Sequence, residues 1–279
     1  MKEQKFIFDR LSLECSKKTT KSYSTSFSLA IKLLSREFQD AIYSIYGFVR
    51  LADEIVDSFH AYNKEELLVS LRKETVESID RHISLNPIIN SFQHTVRKYN
   101  IEWGLIDNFL ESMEYDLHNK SCTDQSYKTY IRGSAEAVGL MCLYIFTAKH
   151  PGQYDKLKPY AESLGSAFQK INFLRDLADD YNSLDRVYFP NIDMNNFSDA
   201  DKKNIEDDIA KDFQHALIGI QLLDKGSSRG VFLAYKYYLS LFSKIKGFDS
   251  STIMKKRIRI SNFKKILILI KSQFNFRIS

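Results

Sequence analysis

Residues 36–59, REFQDAIYSIYGFVRLADEIVDSF, place Phe38, Ile42, Ile45, Val49, Ala52 and Val56 at steps of three and four. Those steps describe one face of an α-helix. Asp53 and Asp57 sit inside the same helix, four residues apart, and share a face one turn above each other. The spacing recurs in Asn172-Phe-Leu-Arg-Asp-Leu-Ala-Asp-Asp180, where Asp176 and Asp180 form a second pair and Asn172 extends the row by a turn. Two carboxylates so placed repel, at a cost to an isolated helix of roughly a few tenths of a kcal/mol. A solvated surface face carries that cost without consequence, whereas a bound cation offsets it. Each pair lies in a strongly apolar helix, Ile42 to Val56 for one and Leu164 to Leu177 for the other, which favours the cation.

Oxygen-only donors suit magnesium, which keeps waters and is shared with substrate phosphates, with manganese as a substitute. Histidine and cysteine are absent from both faces, so zinc is not expected. Arg50 and Arg175 each lie beside a pair. That neighbourhood reads as an ordinary ion pair, or as a phosphate site in which arginine binds oxygen and aspartate binds metal. If the two helices face each other, metal ions bridge both faces to one diphosphate and stabilise the charge on the leaving group.

The rest of the chain is consistent with one all-α domain. It has 279 residues, 44% of them hydrophobic, with 10 Gly and 4 Pro, too few breakers for an all-β protein. Further helices are predicted at about 64–84, 88–99, 103–118, 124–148, 155–181, 199–222, 229–246 and 250–275. Asn86-Pro87 and Pro151-Gly152 read as breaks, residues 182–199 as an irregular loop, Ser198 as an N-cap, and Gly226-Ser227-Ser228 as a turn. No fixed-period repeat or long linker divides the chain.

The net charge of +5 does not call for nucleic acid. Its distribution matters more: after Asp249 every charged side chain is basic, interleaved with Ile266 to Ile270. That stretch reads as a peripheral membrane contact or as a terminal helix packed on the domain with solvated lysines. Cys15, Cys122 and Cys142 are odd in number and widely spaced, so neither a disulfide framework nor a zinc site is expected. With no signal-peptide pattern and no apolar run of spanning length, a cytoplasmic protein is expected, with the inner membrane face as its peripheral location.

With these residues in view, the chain resembles the squalene/phytoene synthase family of head-to-head prenyl synthases. The landmarks occur in order: Tyr23-Ser-Thr-Ser-Phe27, Tyr46-Gly-Phe-Val-Arg50 leading into Asp53 and Asp57, Tyr130-Ile-Arg-Gly-Ser-Ala-Glu-Ala-Val-Gly-Leu-Met141, Gln169-Lys-Ile-Asn172 leading into Asp176 and Asp180, and Arg186-Val-Tyr-Phe-Pro190. The resemblance implies a single-domain helical bundle around a central cavity. It implies that Asp53, Asp57, Asn172, Asp176 and Asp180 hold magnesium-diphosphate, and that Ser24, Ser26, Arg50, Arg175 and Arg186 contact diphosphate oxygens. Tyr46, Tyr130, Gln169 and Tyr188 would line the reacting centre. The implied chemistry ionises one prenyl diphosphate to an allylic cation, captures it with the second substrate's double bond as a cyclopropyl diphosphate, then ionises and rearranges again. Glu136 departs from the small residues common at its position, and Tyr23 from a histidine found in some relatives.

The wording around Gly133 is most similar to bacterial phytoene synthases, which implies two geranylgeranyl diphosphates joined to phytoene without NADPH. The alternatives are squalene or dehydrosqualene synthesis from two farnesyl diphosphates, a non-catalytic helical scaffold of the same fold, and a helical lipid-binding protein. A monomer or weak dimer is expected. The 16 Tyr and 20 Phe read as core packing or as walls that stabilise a cation.

Overall fold

With few glycines or prolines to interrupt it, the chain runs as thirteen α-helices with no β-strand among the described residues. The structure is a computed structural model and describes residues 2–119, 122–150, 152–184 and 186–275. Helices α1 (Lys2–Tyr23) and α2 (Thr25–Lys32) precede α3 (Arg36–Asp57), which buries Phe38, Ile42, Ile45, Phe48, Ala52 and Val56. Helices α4 (Lys64–Arg81), α5 (Pro87–Tyr99) and α6 (Trp103–His118) surround α3, and the rings of Phe48 and Phe92 stack at 3.9 Å in this half of the core. Asn86 caps α5 with Pro87 at its first turn, so the predicted break is a helix start.

Residues 124–148 are not one helix, as the sequence suggests, but α7 (Asp124–Ile131), a π-helical turn (Arg132–Glu136) and α8 (Ala137–Phe146). Close packing accounts for this. A Cβ on Gly133 would stand 2.3 Å from the Asn108 carbonyl of α6, and one on Gly165 would stand 2.8 Å from the Ala135 carbonyl. The turn is pressed between two backbones, and an inserted residue of this kind often marks a functional site.

Helix α9 (Gly152–Leu184) and helix α10 (Asp199–Leu222) carry the second half of the core with α11 (Lys225–Lys246). Ser198 and Asp201 form the capping box at the start of α10. The expected turn at Gly226-Ser227-Ser228 is instead the first turn of α11: Asp224 precedes it, its carbonyl accepts from the Ser227 and Ser228 amides, and both serines are buried. Gly226 is small there because Ser35 packs against it. The expected loop begins later than predicted, since Asn182 and Ser183 end α9, and it holds a 3-10 turn at Met194–Asn196. Pro151 and Asp185 lie outside the described residues.

The single C-terminal helix expected over 250–275 is α12 (Ser250–Ile253), a non-helical segment, and α13 (Asn262–Asn275). Within that segment Ile258 is buried in the core and its neighbour Arg257 reaches Asp176.

Candidate active site

Helices α3 and α9 line one cavity of about 950 Å³ between the two halves of the core. Along α3 the wall passes from Ile42 and Ile45 to Asp53 and Asp57; along α9 it passes from Leu157 and Leu164 to Asp176 and Asp180. The acidic ends coincide. Arg186 lies 3.6 Å from the Asp57 carboxylate and its backbone amide donates to the Asp180 carbonyl at 3.0 Å. The two aspartate faces that the sequence spacing suggested therefore meet across one space.

The charges there are unequally matched. Burial, and after it the charge of Asp57, pushes Asp53 up to about 7. Burial, and after it Asp176, pushes Asp180 up to about 7. Asp176 is instead clamped between two guanidinium groups. Arg175 donates to it through Nε at 2.8 Å and Nη2 at 2.5 Å, and Arg257 approaches through Nε at 2.7 Å. Asp179 is exposed, 3.7 Å from Arg257. Arg50 pairs with Glu54, stands 4.0 Å from Asp53 and lies 4.2 Å over the ring of Tyr23. Its buried Nε has no hydrogen-bond partner among the described residues. A buried guanidinium N–H left without an acceptor marks a place for an anion.

A divalent cation fits this donor set in one particular way. Among the described residues no three His, Cys, Asp or Glu side chains converge closely enough to enclose a metal ion. The facing aspartates supply one or two oxygens at a time, which is how magnesium binds when substrate phosphates complete its shell. A cation would also offset the burial and, after it, the carboxylate repulsion that push Asp53 and Asp180 up.

The remaining expected residues are on the same wall. Ser24 and Ser26 line the cavity, and Ser24 caps α2 by accepting from the Phe27 amide at 3.1 Å. Tyr46 lines it too, and burial pushes its phenol up to about 12. Gln169 accepts from Asn172 at 3.5 Å, and Asn172 in turn accepts from Tyr238 at 3.3 Å. Glu136 does not enter the cavity wall: it faces Glu162 and Arg132, and burial followed by the Glu162 charge pushes it up to about 7. Ser134, two residues earlier in the π turn, does line the cavity, with a buried hydroxyl that lacks a partner among the described residues.

Sequence reasoning missed Asp116, Arg257 and Tyr238. Asp116 on α6 is buried, accepts from Tyr130 at 2.6 Å and from Tyr188 at 3.1 Å, and offers its backbone carbonyl to Arg186 at 2.9 Å. Burial pushes it up to about 6, with Arg186 opposing. The signal was present: Asp116 follows Ile106, Phe109 and Met113 in phase with the apolar stripe of α6, where a carboxylate needs a reason. Arg257 was counted only as part of a basic tail. Tyr238 stacks on Phe168 at 3.8 Å, and Phe27 packs beside both Tyr238 and Tyr46, an aromatic wall that periodicity cannot tell from core.

The squalene/phytoene synthase family profile matches residues 20–264. A 4,4'-diapophytoene synthase of Staphylococcus haemolyticus is 26% identical over 269 residues, covering 88% of this chain and 90% of the relative. A phytoene synthase of Mycobacterium tuberculosis is 25% identical over 172 residues, covering 61% and 55%. Among solved structures, a dehydrosqualene synthase in complex with ligand superposes with a TM-score of 0.80 at 18% identity, covering 96% of this chain and 98% of that one. A squalene synthase of Alicyclobacillus acidocaldarius gives 0.76 at 19% identity, over 86% and 95%. The chain belongs to the squalene/phytoene synthase family of head-to-head prenyltransferases.

Proposed function

We propose that the chain condenses two farnesyl diphosphates head to head, with magnesium, to the C30 hydrocarbon dehydrosqualene, also called diapophytoene. The observation that carries the condensation is the meeting of two aspartate faces with Arg50, Arg175, Arg186 and Arg257 in one cavity that is also walled by apolar side chains such as Ile42, Ile45, Leu157 and Leu164. Magnesium held by Asp53, Asp57, Asp176 and Asp180 would supply positive charge to the diphosphate leaving group. The chain's own residues do the rest. Arg50 has a free N–H for a diphosphate oxygen, and Arg186 is held at the polar end through Asp116. Apolar side chains from Ile42, Leu157 and Leu164 keep water from an allylic cation, and the rings of Phe27, Tyr46, Phe168 and Tyr238 offer it their faces.

The C15 preference departs from the C20 substrate implied by the sequence. It is supported by the diapophytoene synthase that aligns over most of both chains. Joining two geranylgeranyl diphosphates to phytoene is the second reading, favoured by the mycobacterial phytoene synthases over a shorter stretch. The deciding experiment incubates purified protein with magnesium and either diphosphate, with and without NADPH, and identifies the hydrocarbon by mass. Dehydrosqualene from the C15 substrate without NADPH is expected. Turnover of the C20 substrate alone overturns the C15 preference, and diphosphate release with only prenyl alcohol formed overturns condensation.

A further inference from the structure

Helix α13 is anchored on one side and bare on the other. Ile268 and Leu269 pack against Ala30, Leu233 and Tyr237, and the Tyr237 hydroxyl donates to the Lys265 carbonyl at 3.2 Å. On the outer side Ile266, Leu267 and Ile270 stand three, four and seven residues after Phe263, on one helix face. From Phe263 to Ile270 the four are 72%, 50%, 40% and 48% exposed. An exposed apolar stripe of that kind on a fixed helix marks a surface that meets another phase or molecule.

Charge selects the occupant. Lys264 and Lys271 flank the stripe and are exposed, as are Lys255, Lys256 and Arg259 in the preceding segment. No acidic residue follows Asp249 anywhere in the chain. We propose that this face docks on an anionic lipid bilayer, with the four apolar side chains in the headgroup–acyl boundary and the lysines on lipid phosphates. A second copy of the chain is a poor occupant, because a two-fold pairing of α13 would set lysine against lysine with no carboxylate between them. Among the described residues no helix is long and apolar enough to cross a membrane, so the contact is one of lying on the surface.

The location gives the contact a use. Arg257, Arg259, Asn262 and Lys265, at the start of α13 and just before it, belong to the cavity wall. The docked face therefore borders the cavity from which a hydrocarbon without a polar head must leave. A bilayer beside that border receives the product directly. The inference uses the family reaction but neither chain length, and vesicle binding is read without turnover.

The test is co-sedimentation of the full chain with vesicles of phosphatidylcholine alone or mixed with phosphatidylglycerol, at low and raised salt. Two double variants accompany it, Phe263→Ser with Ile270→Ser and Lys264→Glu with Lys271→Glu. All four positions are exposed and outside the cavity wall, and thermal melts verify the fold. The wild type is expected on the anionic vesicles, with at least about ten-fold weaker binding to neutral ones and at raised salt. Each variant is expected to lose about ten-fold, while turnover of detergent-dispersed substrate is unchanged. Equal binding to both vesicle types, variants that bind like the wild type, or a wild-type dimer that the apolar variant dissociates would each overturn the proposal.

Discussion

The hydroxyl of Tyr130 donates to Oδ2 of Asp116 at 2.6 Å, while that of Tyr188 donates to Oδ1 at 3.1 Å, so one buried carboxylate fixes two phenols at the polar end of the cavity. Both tyrosines belong to motifs legible in the sequence; the residue that positions them does not. Asp116→Ala leaves two buried phenols without their acceptor and is expected to cost about 2–3 kcal/mol of stability. Asp116→Asn keeps the volume and one acceptor oxygen and is expected to recover about half of that. Arg186 bonds the backbone carbonyl, which both variants retain. Urea unfolding of the three proteins checks the order, and an Asp116→Ala midpoint equal to wild type would show that the phenols are held by something else.

Asp53 is expected to separate stability from activity. Its carboxylate is pushed up to about 7 by burial and by Asp57, so in metal-free protein it is a source of strain. Asp53→Asn removes that repulsion and is expected to melt at or above the wild-type temperature without metal at about pH 8. The same change is expected to lower turnover by about 100-fold or more, the scale seen when a group that stabilises developing charge is lost. Product formation and thermal melts on one preparation test both halves. A variant that melts lower and still turns over would contradict the role.

The pH dependence has a definite sign. Asp53 and Asp180 hold their protons in the folded chain up to about 7, against an ordinary carboxylate value near 4. Between those limits the folded state binds more protons than the unfolded one, so this contribution to stability is present at low pH and is lost as pH rises from about 4 to about 7. Magnesium binds the deprotonated form and opposes the loss. Without metal, the wild type is expected to gain less thermal stability than Asp53→Asn as pH goes from about 5.5 to about 8. Millimolar magnesium is expected to raise the wild-type melt at about pH 8 and much less at about 5.5. Equal magnesium effects at both values would remove these carboxylates from metal binding.

Helices with an apolar face were legible in the sequence because burial writes itself as periodic hydrophobicity; α3, α6 and α10 are found close to their predicted ranges. Helix α1 was not, and its buried face shows why. Ser12, Ser16 and Thr20 recur every four residues and are fully buried, with Ser16 bonded to Ser91 at 2.7 Å and seated against Gly47. A small-polar packing face carries no hydrophobic signal. The site divides in the same way. Motif residues such as Ser24, Tyr46, Asp53, Asp180 and Tyr188 line the cavity, while Glu136 of the same motifs does not. Asp116 and Arg257 reach it from an apolar helix and from a segment between two short helices, so their roles depend on tertiary placement that spacing does not encode.

Two glycine-to-alanine changes test the packing that places Tyr130, and they are expected to act in opposite directions. At Gly133 the added Cβ would stand 2.3 Å from the Asn108 carbonyl and 2.9 Å from the Ser112 Cβ, so α6 and the π turn must separate. The cost is expected to be about 1–3 kcal/mol. Because Tyr130 lies one turn earlier and Asp116 lies on the displaced helix, the 2.6 Å hydrogen bond between them is expected to lengthen and turnover to fall. At Gly104, also in α6, the new Cβ would meet no atom within 4 Å beyond its chain neighbours and its own helix backbone. There alanine only narrows the unfolded ensemble and favours the helix, for an expected gain of about 0.5–1 kcal/mol with turnover unchanged. Urea unfolding gives both signs. If Gly133→Ala is as stable as Gly104→Ala, the close approach of the π turn to α6 is not what holds Tyr130 against Asp116.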